Sequence, residues 1–323
     1  MIFGFMTIKK LFKYIAYFLL SVVLIVNLFI VLSGRYYLYS GIAKTYLIGK
    51  MGPGIYDLDV FPVNKISKST SPKKLQVRQP NISLTSQEES YLNAIDTRAF
   101  LIFQDDTLLH EQYWGPHAIN EVSNSFSASK TVIGLLIGIA IEEGKIPSVD
   151  EPVSTFIPEF ETNGRAHLTI RHLLTMSAGF DWQESGKNPL SEAAEIKLWQ
   201  PLEMCENATW SSDRNNMEKA FCCITASAQD YAKFGRLYLN KGKWNGKTIF
   251  SEEWFDKSIR RDSTNGSSFN FNYSWHIGLK KYEDFMAIGL YKQHIYIYPE
   301  KNVIIVLLND REKKLIAERV NWW

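Results

Sequence analysis

The sequence predicts an α+β fold: an antiparallel β-sheet flanked by helices, interrupted by a shortened helical insertion lobe and preceded by a transmembrane helix. Three observations carry this. Two strand-like runs, residues 99–103 and 107–114, enclose Gln104-Asp105-Asp106, which reads as a hairpin turn. Four more strand-like runs, 274–278, 285–289, 294–298 and 303–308, follow one another over short links, and short links join antiparallel neighbours because a parallel crossover needs about a dozen residues or more. Between these groups, from 132 to 242, apolar residues recur mostly at helical spacing.

Taken from the N-terminus, residues 14–33 form a run of twenty positions without a charge, long enough to cross a hydrocarbon core of about 30 Å as a helix. Lys9, Lys10 and Lys13 precede it, so the positive-inside rule places residues 1–13 in the cytoplasm and the rest of the chain outside, in the periplasm or the extracellular space. A cleaved signal peptide has a shorter apolar region and ends in small residues; the exit here, Val31-Leu32-Ser33-Gly34-Arg35, favours a retained signal anchor. Residues 34–85, with Gly52-Pro53-Gly54 and a Ser, Thr and Lys-rich stretch over 65–74, show no sustained period and read as a tether and approach segment. Residues 86–323 form the main domain, its helical lobe at about 131–242. Ser86 and Glu89 are spaced as a capping box that opens a helix. Ser227 opens another that stops at Gly242, and residues 312–320 have the pattern of a closing helix.

Composition excludes several roles. With 36 basic against 34 acidic residues, the formal charge of +2 gives no electrostatic basis for nucleic-acid binding. Three cysteines are too few for a disulfide scaffold, and the adjacent Cys222 and Cys223 read as small buried residues in an apolar run. Six histidines show no zinc spacing, and single ones such as His172 and His276 read as packed or surface residues, so no metal or other cofactor is implied.

Chemistry concentrates at Ser127-Ala128-Ser129-Lys130, where a polar approach meets the apolar helical run 132–141. If the helix begins near Ser127, the i,i+3 spacing sets the Lys130 amine on the same face as the Ser127 hydroxyl. A serine hydroxyl attacks poorly until a neighbour takes its proton, and a desolvated lysine can do so. The start of a helix also favours negative charge developing nearby.

Several stretches together resemble the serine β-lactamase-like hydrolase superfamily, which includes class C β-lactamases, carboxypeptidases and esterases, and within it the 6-aminohexanoate-dimer hydrolase branch. They are Ser127-Ala128-Ser129-Lys130, Leu173-Leu174-Thr175-Met176-Ser177-Ala178-Gly179, Asp181-Trp182, Trp199-Gln200-Pro201-Leu202, Ser227-Ala228-Gln229-Asp230, and Ala287-Ile288-Gly289 before Gln293, in the family's order over about 87–310. The resemblance implies a β-lactamase/transpeptidase-like fold in which Ser127 attacks an amide, lactam or ester carbonyl of a small molecule to form an acyl-enzyme, with Lys130 as its base. It also implies an oxyanion hole made by the Ser127 backbone N–H and one from the strand edge at Gly289 and Leu290.

Two departures from the family pattern stand out. The resemblance implies a Tyr-x-Asn or Tyr-x-Ser element before Trp199, yet residues 183–198 contain no tyrosine, and the join around Asn188-Pro189-Leu190-Ser191 reads as an internal deletion. Tyr238-Leu239-Asn240 and Ser263-Thr264-Asn265 have matching letters but read as a helix end and a polar loop; Tyr113 reads as structural. Tyr291 is the spare candidate beside the strand edge, and Lys292 stands where relatives commonly carry glycine, either as a solvated turn residue or as a cation near a substrate carboxylate. The alternatives to an active serine hydrolase are an impaired or inactive shortened homologue, or a membrane-tethered ligand-binding protein.

Overall fold

The computed structural model describes residues 8–50, 52–58, 60–75, 82–162, 164–178, 190–213, 215–261 and 270–310. The chain divides into two units, Met1–Pro53 and Gly54–Trp323. The smaller unit holds α1 (Ile8–Leu32) and α2 (Tyr37–Lys44). Helix α1 starts before the uncharged run because lysines are good helix formers, and at 25 residues it is roughly 38 Å long. It is long and apolar enough to cross a membrane. Its polar side chains are tied down locally: Ser21 Oγ donates to Tyr17 O at 2.8 Å, Asn27 Nδ2 donates to Val23 O at 2.8 Å, and Tyr39 Oη donates to Asn27 Oδ1 at 2.9 Å.

In the larger unit β1 (Val63–Ile66) is followed by α3 (Ser86–Ala94), β2 (Thr97–Gln104), β3 (Thr107–Tyr113), β4 (Val122–Asn124), α4 (Lys130–Glu142), α5 (Ile170–Leu174), α6 (Leu190–Ala194), β5 (Ala208–Ser211), β6 (Thr225–Ser227) and α7 (Ala228–Leu239). Then come β7 (Lys243–Trp244), β8 (Lys247–Thr248), α8 (Glu252–Ile259), β9 (Phe271–Asn272), β10 (Trp275–Ile277), β11 (Phe285–Gly289), β12 (Gln293–Tyr298) and β13 (Val303–Asn309). The N-terminal hairpin and the C-terminal meander join in one antiparallel seven-stranded sheet, ordered β3-β2-β13-β12-β11-β10-β9. The α+β class and the antiparallel sheet expected from the sequence are therefore present. Alternation decides which face is covered: Ala99, Leu101 and Phe103 on β2, Ile295 and Ile297 on β12, and Ile304, Val306 and Leu308 on β13 are buried, and α7 packs against these three strands.

Several local expectations shift. The segment expected as an unpatterned tether contributes β1, which pairs antiparallel with β5, Val63 opposite Ser211. No hydrophobic period marks a four-residue strand recruited by a distant partner. The middle of the chain, expected to be mostly helical, also carries β5 and β6. The α3 capping box is one residue earlier than expected: Thr85 Oγ1 accepts from Glu88 N at 3.3 Å, and Glu88 Oε2 accepts from Thr85 N at 2.7 Å. Both registers satisfy the pattern; the extended backbone at Thr85, φ −71° and ψ 157°, makes it the cap. Ser227 caps α7 as expected, its Oγ accepting from Asp230 N at 3.2 Å. Cys222 and Cys223, expected as separate packed thiols, form a disulfide with each other. The left-handed backbone at Cys223, φ 78°, belongs to the turn that brings the neighbouring sulfurs together. The expected closing helix at 312–320, the join at 188–189 and Ser263-Thr264-Asn265 lie outside the described residues.

One buried histidine sets an acid limit on stability. His117 is 5% exposed, and its Nδ1 shares a hydrogen bond with Tyr56 Oη at 2.9 Å. Burial pushes the Tyr56 phenol far above its usual range, so that hydroxyl stays protonated. Burial first, then the Arg98 charge, hold the His117 pKa down from 6.5 to about 4. The folded value lies below the unfolded one, so the unfolded chain takes up the proton first as pH falls. The contribution is complete above pH 6.5 and is lost between 6.5 and about 4, to an extent on the order of 3 kcal/mol. Thermal unfolding checks this: the stability gap between wild type and His117→Gln narrows as pH falls from 7 to 4.5.

Candidate active site

The nucleophile candidate sits where β4 gives way to α4. Pairing of β4 with β6 fixes the entry, Val122 opposite Ser227. Ser125 N then donates to Ile224 O at 3.0 Å, and Ser125 Oγ donates to the same oxygen at 2.9 Å. Phe126 takes a left-handed φ of 48°, a conformation costly for a bulky side chain. Three hydrogen bonds hold it: Phe126 N donates to Asn124 Oδ1 at 2.8 Å, and Phe126 O accepts from Cys223 N at 3.1 Å and Ser129 Oγ at 2.8 Å. This bend leads into a 3-10 turn, Phe126–Ser129, and α4 proper begins at Lys130.

The 3-10 turn improves on the helical spacing expected from the sequence. Side chains at i and i+3 nearly eclipse in that geometry, and Lys130 Nζ lies 3.3 Å from Ser127 Oγ as its hydrogen-bond donor. Both residues are half-buried.

Two other segments close the corner. Strand β10 pairs only with Phe285 and Met286 of β11, so the β11 edge beyond Met286 has no β10 neighbour. The serine turn takes that place. Gly289 makes the approach possible: a Cβ there would lie 2.1 Å from Ser125 O. On the opposite side, Gly134 of α4 admits the Tyr273 carbonyl, which would sit 2.9 Å from a Cβ at that position. Tyr273 and Ser274 are both left-handed, φ 39° and 69°, and Ser274 N donates to Leu174 O at 3.0 Å. The result is a cavity of about 300 Å³ bounded by Ser127, Lys130, Thr175, Ser274, His276 and Ile288, among others.

The remaining candidates are placed differently. Leu290 is 48% exposed at the strand end. Tyr291 and Lys292 both take φ 61° in the turn from β11 to β12, a conformation that suits glycine and explains why one fits at position 292. The Tyr291 ring meets Phe126 edge-on at 5.6 Å, and the Tyr291 and Lys292 carbonyls accept from Asn309 Nδ2 at 3.0 and 2.8 Å. Neither side chain lines the cavity. Tyr113 Oη donates to Glu111 Oε1 at 2.6 Å on β3, and Tyr238 is buried among Phe250, Phe255, Trp275 and Phe285. Among the described residues no three His, Cys, Asp or Glu side chains are grouped to hold a metal ion.

Sequence reasoning missed Ser274 and His276. The signal for His276 was the alternation in Trp275-His276-Ile277: the two flanking side chains are buried in the core, so the one between them faces the other way.

Comparison with known proteins bears on the fold. The β-lactamase family profile matches residues 88–208. A 6-aminohexanoate-dimer hydrolase of Paenarthrobacter ureafaciens is 20% identical over 293 residues, spanning 69% of this chain and 74% of that protein. A solved chain from Bacillus anthracis, assigned as a 6-aminohexanoate-dimer hydrolase, superposes with a TM-score of 0.68 at 19% identity, covering 77% of this chain and 85% of its own. Residues 88–208 therefore match a β-lactamase domain, and the larger unit has a β-lactamase-like fold. A further fold match is EstCE1, described as a hydrolase with promiscuous acyltransferase activity, with a TM-score of 0.58 at 14% identity over 69% of this chain and 91% of its own. The chain is thus similar to proteins described as β-lactamases and hydrolases.

Proposed function

We propose that this chain is a membrane-anchored serine hydrolase that forms an acyl-enzyme through Ser127 on small amide, lactam or ester substrates. One observation carries the reading: Ser127 Oγ and Lys130 Nζ are 3.3 Å apart at one cavity against the strand edge of β11. Lys130 takes the Ser127 proton as Oγ bonds to the carbonyl carbon, and the carbonyl π pair moves onto oxygen. The Ser127 N–H and an N–H at the Gly289 and Leu290 edge receive that charge, and the tight Ser125 to Gly289 approach supports such a pairing. Collapse expels the leaving group, and water later cleaves the ester. Helix α1 is the anchor, residues 1–13 are the cytoplasmic tail, and the domain over residues 86–323 works on the extracytoplasmic side; Lys9, Lys10 and Lys13 support that orientation.

A pre-steady-state measurement tests the mechanism. With p-nitrophenyl butyrate, the full chain in detergent releases a burst of p-nitrophenolate stoichiometric with protein, followed by slower turnover. Release without any burst, or none at all from folded protein, contradicts an accumulating acyl-enzyme.

A further inference from the structure

We propose that His276 is the proton carrier of this site, moving the proton between Ser127 and the leaving group or the hydrolytic water. This rests on the reading of Ser127 as the nucleophile. Among the described residues lining the cavity, Lys130 and His276 are the two basic side chains, and no tyrosine is among them. A step that takes a proton from serine and returns it to a departing nitrogen or oxygen needs a group able to do both. A lysine amine parts with its proton less readily than an imidazole, so relaying the proton through the imidazole eases its delivery to the leaving atom.

The fold holds the imidazole toward the site. His276 lies opposite Met286 of β11 and Phe271 of β9. The Phe271 ring meets it edge-on, centroids 5.0 Å apart and planes at 76°. Trp275 and Ile277 face the core, so the histidine is turned to the cavity side. No hydrogen bond ties either ring nitrogen to another described residue, so neither is committed to a structural partner.

The electrostatics support this assignment. Burial first, then the charge of Lys130 from α4, lower the His276 pKa from 6.5. The neighbouring basic group from β12, His294, is itself held down to about 4 by burial, then by Lys292 and His276; β9 and β11 face His276 with the uncharged Phe271 and Met286. With its pKa lowered from 6.5, His276 is mainly neutral at pH 7, the form that can accept a proton from Lys130 and pass it on.

The steps balance. In acylation the Ser127 proton passes to Lys130 and then to His276. The C–N or C–O bond breaks, and the leaving atom takes the proton from the imidazolium. In deacylation water bonds to the acyl carbon and gives its proton to His276; the ester bond breaks, and that proton returns to Ser127 Oγ through Lys130.

Leaving-group dependence tests this. p-Nitrophenolate departs without being protonated, whereas a 4-nitroanilide must be protonated to leave. In the full chain, His276→Gln and His276→Asn are expected to lower kcat/KM for butyryl 4-nitroanilide about 10²- to 10⁴-fold, while the p-nitrophenyl butyrate burst rate falls less than about 10-fold. The acid limb of the anilide pH profile below 6.5 disappears in both variants. Equal loss on both substrates shows a structural role and overturns the proposal, as do unchanged rates on both. Ser127→Ala separates the premise: if it keeps the burst, the nucleophile reading fails, whatever the His276 variants do.

Discussion

Ser127→Ala is expected to lower ester hydrolysis by on the order of 10⁴-fold or more while leaving the fold intact. The hydroxyl forms the covalent bond in the proposed mechanism, so its removal leaves only what a positioned carbonyl gains from the strand edge and from binding. Folding tolerates the change because Ser127 is half-buried and its Oγ meets Lys130 rather than the backbone groups that hold the turn. Those are held by Asn124, Ser125 and Ser129. Lys130→Met is expected to cost nearly as much, because the amine and the hydroxyl act as one unit. The double variant then falls no further than Ser127→Ala alone. Steady-state kinetics on p-nitrophenyl butyrate, with thermal unfolding as the control for folding, checks all three. Additive losses contradict the coupling.

Gly289→Ala is expected to lower kcat roughly 10²- to 10³-fold with a smaller change in KM. Its new Cβ would sit 2.1 Å from Ser125 O, well inside the 3.0 Å below which real contacts are essentially absent. The obstacle is a backbone oxygen in a segment fixed by two hydrogen bonds to Ile224 O, so it does not swing aside as a flexible side chain would. The strand edge and the serine turn must separate by roughly 1 Å, enough to misplace one oxyanion donor. A displaced donor weakens the developing charge more than the ground-state complex, so the loss is read in kcat. An unchanged kcat contradicts the placement of the oxyanion hole between these two segments.

The sheet was legible because its strands alternate and lie close together in sequence. Runs such as Phe285–Gly289 and Val303–Asn309 announce themselves by β-branched and aromatic residues with short links. Strand β1 was not legible, since Val63–Ile66 becomes a strand only by pairing with Ala208–Ser211, a long-range event that leaves no local period. The Cys222–Cys223 disulfide was not legible, because three cysteines read as too few for a disulfide scaffold and the two sit side by side in an apolar run.

At the site, Ser127 and Lys130 were legible because their chemistry and spacing are written in four consecutive residues. His276 was not, because its position depends on a glycine in another element: Gly134 lets the Tyr273 carbonyl approach α4 and so draws β10 toward the nucleophile. Tyr291 looked suitable from its neighbours in sequence, yet its left-handed turn lays the ring against Phe126 rather than along the cavity.

Peptide mass spectrometry after reaction with a fluorophosphonate ester tests the account most directly. The account predicts one phosphonyl adduct, on Ser127, absent in Ser127→Ala and formed far more slowly in Lys130→Met. An adduct on another residue, or no labelling of folded wild-type protein, would contradict it.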